Sequence, residues 1–134
     1  MNTLNSLMIA IGLLMVGPLA NGQQSTTVKE VITVTEVKDA MSESDEILLL
    51  DVRTPEEYSE GHLPKATNID FLSDDFQQKV GDLPRDEPVY LYCRSGNRSA
   101  KAANLLQEMG FKEIYDMEGG YLAWEAQKQD DQKR

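Results

Sequence analysis

The run Ile47-Leu48-Leu49-Leu50-Asp51-Val52 constrains the fold of this chain more than any other segment. It is apolar at consecutive rather than alternate positions, and turn and helix-start signals bound it: Ser42-Glu43-Ser44-Asp45-Glu46 before, Thr54-Pro55-Glu56-Glu57 after. A strand with one wet face alternates apolar and polar side chains. A strand apolar throughout is covered on both faces, as in a parallel sheet between layers of helix. Pro88-Val89-Tyr90-Leu91-Tyr92 has the same character, and residues 28–34, 66–69 and 113–117 read as further strands. Helices are expected between them. Thr35 is expected to cap one that runs through Met41. Thr54 at N-cap, Pro55 at N1 and Glu57 at N3 start a second, closed by Gly61. Ser73-Asp74-Asp75 opens a third towards Val80. Residues 98–109 form a fourth, with Ala102, Leu105, Leu106 and Met109 on one face and Gly110 at its end. Gly119-Gly120 leads to the last, over 121–128. Strands alternating with short helices predict an α/β domain with a central, mainly parallel sheet flanked by helices on both faces.

A length of 134 residues suits one domain. With 13 Lys+Arg against 23 Asp+Glu, the net charge of −10 lacks the basic footprint that nucleic-acid binding requires. It also disfavours membranes of the same sign. One cysteine excludes a disulfide framework, a CxxC redox pair and a thiolate zinc cluster, and one histidine argues against a His-based metal site. No metal and no organic cofactor is implied.

The first 22 residues carry no charged side chain, and 7–20 read LMIAIGLLMVGPLA. Such a run is shorter than the roughly 20 residues a membrane-spanning helix needs, and fits the apolar region of a secretory signal. Pro18 breaks it, and Ala20-Asn21-Gly22 places small residues at a cleavage site before Gln23. The leading MNTLNS lacks the usual Lys or Arg, and an uncleaved N-terminal anchor is the alternative. The expected organisation is a signal peptide at 1–22, a polar linker at 23–27, the α/β domain at 28–129 and a polar tail at 130–134. The mature chain is then expected in a bacterial periplasm or secreted, with no stable membrane association after cleavage.

The chemistry is concentrated in Tyr92-Cys93-Arg94-Ser95-Gly96-Asn97-Arg98-Ser99-Ala100-Lys101. The thiol sits just past a buried strand, at the sheet edge where open α/β folds bind ligands. Short, polar and Gly residues let the backbone curl with its N–H groups inward. A helix beginning near Arg98 adds its unpaired donors and the positive end of its dipole, completing an anion cradle. From Cys93 to Lys101 there are three cations and no acid. That setting favours thiolate over thiol without a dedicated base. A buried, inert cysteine is the common alternative, but an unpaired thiol in an exported chain is itself a signal.

These residues resemble the rhodanese family, in particular its small single-domain bacterial members. The resemblance spans residues 31–127 and rests on four blocks in the family's order: Leu50-Asp51-Val52-Arg53 with Glu56-Glu57-Tyr58; Glu60-Gly61-His62-Leu63-Pro64-Lys65-Ala66-Thr67-Asn68-Ile69; the Cys93 to Ser99 segment; and Gly119-Gly120-Tyr121 with Trp124. It implies a parallel sheet flanked by helices and a catalytic cysteine, here Cys93, that carries sulfur as a persulfide. Arg94, Ser95, Gly96, Asn97, Arg98 and Ser99 would then bind the substrate, and a small anionic sulfur donor such as thiosulfate would pass its outer sulfur to a thiol or cyanide. Four residues separate Cys93 from Arg98. Cysteine phosphatases and arsenate reductases use five, since a phosphoryl group needs the wider cradle. A non-catalytic binding or sulfur-carrier module is the competing class. Asp51 and Arg53 read as an ion pair bracing the loops beneath the site, His62 as a structural residue, and Tyr90, Tyr92 and Trp124 as packing.

Overall fold

The computed structural model describes residues 26–134 and, in isolation, Gly17, so apart from Gly17 the segment read as a signal peptide lies outside the described residues. Five parallel strands form the sheet: β1 (Val28–Ile32), β2 (Leu48–Asp51), β3 (Thr67–Asn68), β4 (Val89–Tyr92) and β5 (Glu113–Met117), in the order β1-β5-β4-β2-β3. Five helices connect and follow them: α1 (Val34–Glu43), α2 (Pro55–Glu60), α3 (Phe76–Gly81), α4 (Asn97–Glu108) and α5 (Gly120–Gln132). Among the described residues no helix is long and apolar enough to cross a membrane.

The period-two geometry of the strands splits the core into two layers. Leu50, Leu91, Cys93 and Ile114 face a layer built with Phe76 and Val80 of α3 and Ala102, Ala103 and Leu106 of α4. Leu49, Tyr92 and Met117 face the other, built with Val34 and Val37 of α1, with Tyr58 of α2 and Trp124 of α5 against it. Both layers are dry, which is why Leu49 and Leu50 on β2 can be apolar at consecutive positions, one facing each layer.

The chain places β2 and then β3 to one side, then returns to lay β4 on the other edge of β2. That reversal makes the carboxyl ends of β2 and β4 the switch point where ligands bind in open α/β sheets. Asp51 ends β2 and Cys93 directly follows β4.

Several boundaries differ from the sequence reading: β1 stops at Ile32, so that Val34 opens α1 instead of closing a strand, and the other strands and helices shift by a residue or two at their ends. Three differences have a clear local cause. Thr33, not Thr35, caps α1: its hydroxyl accepts from the Glu36 N–H at 3.2 Å and Glu36 returns the bond to the Thr33 N–H at 2.7 Å. This reciprocal box outcompetes a lone threonine two residues later. Ser73-Asp74-Asp75 forms a turn ahead of α3 rather than its first residues, because Ser73 bonds Asp75 at 2.6 Å and no side chain caps the helix. Helix α5 continues into the residues read as a polar tail, as far as Gln132; there Lys38 of α1 pairs with Asp131 at 2.9 Å.

Candidate active site

Cys93 leaves β4 into a tight loop whose last residue, Gly96, caps α4 with φ +117°, a left-handed conformation that glycine adopts without strain. The loop turns the Gly96 N–H onto the Cys93 Sγ at 3.1 Å, while the Ser99 hydroxyl, one turn into α4, approaches the sulfur at 3.4 Å. Burial on its own raises the thiol pKa. The Ser99 hydroxyl and the N–H groups of Ser99, Gly96 and Ser95 oppose it, and the net result lies below the ordinary cysteine value. The sulfur therefore sits where the start of α4 converges on a negative charge.

A second element holds this loop from outside. The Tyr121 N–H donates to the Cys93 carbonyl at 2.8 Å and the Leu122 N–H to the Arg94 carbonyl at 3.1 Å, so the first turn of α5 clasps the loop backbone. Gly120 makes the approach possible: a Cβ there would collide with the carbonyl of Cys93 and lie 2.6 Å from that of Arg94, at a φ of +60°.

The two loop arginines differ. Arg98 is turned to α2, where its Nη2 meets both carboxylate oxygens of Glu57 at 3.0 and 3.1 Å. Arg94 is exposed, as are Ser95 and Asn97, at the mouth of the loop. Glu57 read from sequence as a helix-start residue, and its N–H does bond Thr54 Oγ1 at 3.3 Å. Its side chain is left over for Arg98.

Asp51 and Arg53 form a buried ion pair, with Nη2 at 2.6 Å from Oδ2, and Arg53 also donates to the Gly61 carbonyl at 2.6 Å. The arginine lies over the Tyr121 ring, 4.2 Å from its centroid. Burial alone would lower the arginine pKa, but the Asp51 carboxylate outweighs it and holds the group protonated. Tyr92, read as packing, is also a polar member of this cluster: its hydroxyl donates to Asp51 Oδ2 at 2.6 Å and accepts from the Leu63 N–H at 3.1 Å. Burial and the adjacent carboxylate push its ionisation far above the ordinary range. His62 is exposed, stacks on the Tyr58 ring at 3.8 Å and has Nδ1 3.0 Å from the Tyr58 carbonyl. Tyr90 stacks on Tyr115 at 5.1 Å, and Trp124 packs against the α1 side of the core.

A parallel α/β sheet with one thiol set in a backbone cradle at its switch point defines the class of domain to which the chain belongs. Within that class the chain belongs to the rhodanese-like domain family, whose model matches residues 33–127. It is 37% identical over 100 residues to the YtwF protein of Bacillus subtilis, covering 75% of this chain and 93% of that one. It is 31% identical to the thiosulfate sulfurtransferase GlpE of Pseudoalteromonas translucida, covering 63% of this chain and 78% of the relative. The crystal structure of a rhodanese-like domain protein from Staphylococcus aureus superposes with a TM-score of 0.64 at 34% identity, covering 71% of this chain and 90% of that chain. These relatives support a sulfurtransferase-type function.

Proposed function

We propose that the chain is a rhodanese-type sulfurtransferase that moves a sulfane sulfur from an anionic donor such as thiosulfate to a thiol or cyanide through a persulfide on Cys93. The observation that carries this reading is the Cys93 Sγ itself, 3.1 Å from the Gly96 N–H and 3.4 Å from the Ser99 hydroxyl, with its pKa held down by those donors. In the first half-reaction the Cys93 thiolate attacks the outer sulfur of the donor. A Cys93 S–S bond forms, the donor's S–S bond breaks, and sulfite leaves with the electron pair. In the second, an acceptor thiolate or cyanide attacks the outer sulfur and Cys93 departs as thiolate. Covalent catalysis of this kind gives ping-pong kinetics. The chain has one cysteine, so the persulfide cannot resolve to an internal disulfide and an external acceptor is required.

Arg94, exposed at the loop mouth, supplies the positive charge that draws an anionic donor, while Arg98 holds the loop to α2 through Glu57. The small loop suits a single added sulfur atom. Residues 1–22 act as a cleaved export signal in this reading, and the domain works in the periplasm or outside the cell; sequencing the N-terminus of the chain recovered from that compartment tests it, with Gln23 expected first. A second reading, a sulfur-binding module without turnover, draws on the 1% exposure of Cys93, which limits what can reach the sulfur.

Intact-protein mass spectrometry separates the two. Incubation with thiosulfate is expected to add one sulfur atom, absent from Cys93→Ser, and cyanide to remove it as thiocyanate. Loading without discharge to any thiol or cyanide leaves only the carrier module. Failure to load from thiosulfate or from a persulfide donor sinks the sulfurtransferase assignment.

A further inference from the structure

Side chains alternate across the sheet along Glu113-Ile114-Tyr115-Asp116-Met117, so Asp116 shares a strand face with Ile114. That face is turned to α4, because Ile114 packs with Ala102, Ala103 and Leu106. One acid is thereby carried into an apolar layer. Asp116 is 7% exposed, and its Oδ1 is buried with no hydrogen-bond partner among the described residues. It lines a hollow of about 150 Å³ between β1 and α4.

The groups around the hollow leave this carboxyl unmatched. Lys29 of β1, which also lines it, spends its ammonium on Asn104 Oδ1 at 2.6 Å. Glu30 adds a second acid, and the register neighbours of Asp116, Val31 and Leu91, are apolar. No ion pair among the described residues includes Asp116. Ala100 and Ala103 of α4 supply small apolar walls, and Val31, 67% exposed, leaves the hollow open at the sheet edge. A buried carboxyl without a partner carries a desolvation cost, which a cation seated against it offsets. A cavity of this volume takes a molecule of about six heavy atoms, benzene being the measured case. A compact ammonium on a stem of about four carbons fits that space.

We propose that the hollow between β1 and α4 binds a primary alkylammonium group, with Asp116 as its counter-charge and Val31, Ala100 and Ala103 around its stem. A free small amine and the lysine side chain of another protein both present this group. The site makes no use of Cys93, so it goes beyond the sulfurtransferase reading and its test needs no sulfur donor.

The test is an amide-resolved NMR titration of the full chain with n-butylammonium chloride at constant ionic strength. Saturable shifts are expected at Val31, Ala100, Ala103, Asn104 and Asp116, with a dissociation constant in the millimolar range that suits so small a ligand. n-Butanol, of the same size without the charge, is expected to bind about tenfold more weakly, because its hydrogen bond to the carboxyl carries no opposite charge. Asp116→Asn is expected to cost the ammonium the same factor. Ala100→Leu, at an exposed helix position, fills the hollow and is expected to abolish saturation, a reading that holds even if the Asp116 variant is unstable. Nα-acetyl-lysine methylamide separates the two sources. Binding equal to that of n-butylammonium assigns the hollow to a protein's lysine, and binding of the free amine alone assigns it to a small molecule; both keep the alkylammonium site. Equal binding of n-butanol, shifts that sodium chloride reproduces, or shifts that either variant leaves unchanged overturn the proposal. So does a wild-type chain without saturable shifts, including one where binding emerges only in Lys29→Gln because the chain's own ammonium fills the hollow.

Discussion

Tyr92 and Cys93 are neighbours in the chain and point to opposite faces of the sheet, and the polar chemistry on the two faces is opposite in kind. On the Tyr92 face the network is closed. Asp51 accepts from the backbone N–H, Nε and Nη2 of Arg53 and from the Tyr92 hydroxyl, and Asn68 Nδ2 binds the carbonyls of both Asp51 and Arg53 at 3.0 and 2.9 Å. On the Cys93 face, the thiol, the Ser99 hydroxyl and Asp116 of β5 have fewer partners than their capacity, and Asp116 Oδ1 has none among the described residues. A saturated network fixes geometry and has nothing left to give. An unsaturated one retains the capacity to take on a second sulfur atom or a proton. The first face braces the loops from Arg53 to Leu63, and the second is where the proposed sulfur transfer would run.

Breaking the closed face is expected to have the largest effect. Arg53→Ala leaves the Asp51 carboxylate, fully buried, without its cation. Removing one member of a buried pair typically costs about 3–5 kcal/mol. Urea unfolding should show that loss, while the Cys93 thiolate titration stays in place because no member of the pair touches the sulfur. A loss below about 1 kcal/mol would make the network dispensable to the fold.

Removing the Ser99 hydroxyl sharpens the comparison through pH. The folded Cys93 pKa lies below its unfolded value, so the folded protein releases the proton earlier than the unfolded chain. Thiolate stabilisation is therefore absent below the folded pKa, grows as the pH rises through it, and is complete above the unfolded value of about 8.5. In Ser99→Ala the folded pKa moves back towards the unfolded one. The urea midpoints of wild type and variant should lie closest in acid and diverge as the solution becomes alkaline. A gap that stays constant with pH would assign Ser99 to packing alone.

How much of this was legible in the chain depended on whether a signal is local. The consecutive apolar residues 47–50 and 88–92 carry the parallel sheet, because strands dry on both faces cannot alternate. The position of Cys93 between a strand and a Gly-bearing turn places it at the sheet edge, and parity along β4 already separates it from Tyr92. What parity does not supply is a partner. Tyr92 meets Asp51 across 41 positions, Arg98 meets Glu57 across the same distance, and the Gly120 contact with the loop joins residues whose proximity only the folded sheet creates. Asp116 lies in a predicted strand, and its neighbours across the sheet, Val31 and Leu91, are supplied only by the fold. The cap of α1 is a different case: Thr33 and Glu36 carry a capping box that is visible in the sequence, whereas Thr35 has Lys38, not an acid or amide, three residues on.

The smallest expected effect concerns the ion pair that ties the start of α4 to α2, Glu57 with Arg98. Both side chains are partly open to solvent, at 32% and 20% exposure. Glu57→Gln should therefore cost only about 0.2–1 kcal/mol of stability. Its value lies in separating two roles of Arg98. Freed from its carboxylate, the guanidinium adds a charge at the start of α4, and sulfur loading from thiosulfate at low ionic strength should quicken by about twofold. Salt should erase the gain, since the Debye length is about 8 Å at physiological ionic strength. Slower loading at every salt concentration would show instead that the pair matters by holding the loop's shape, so that the open face, too, depends on one fixed ionic contact.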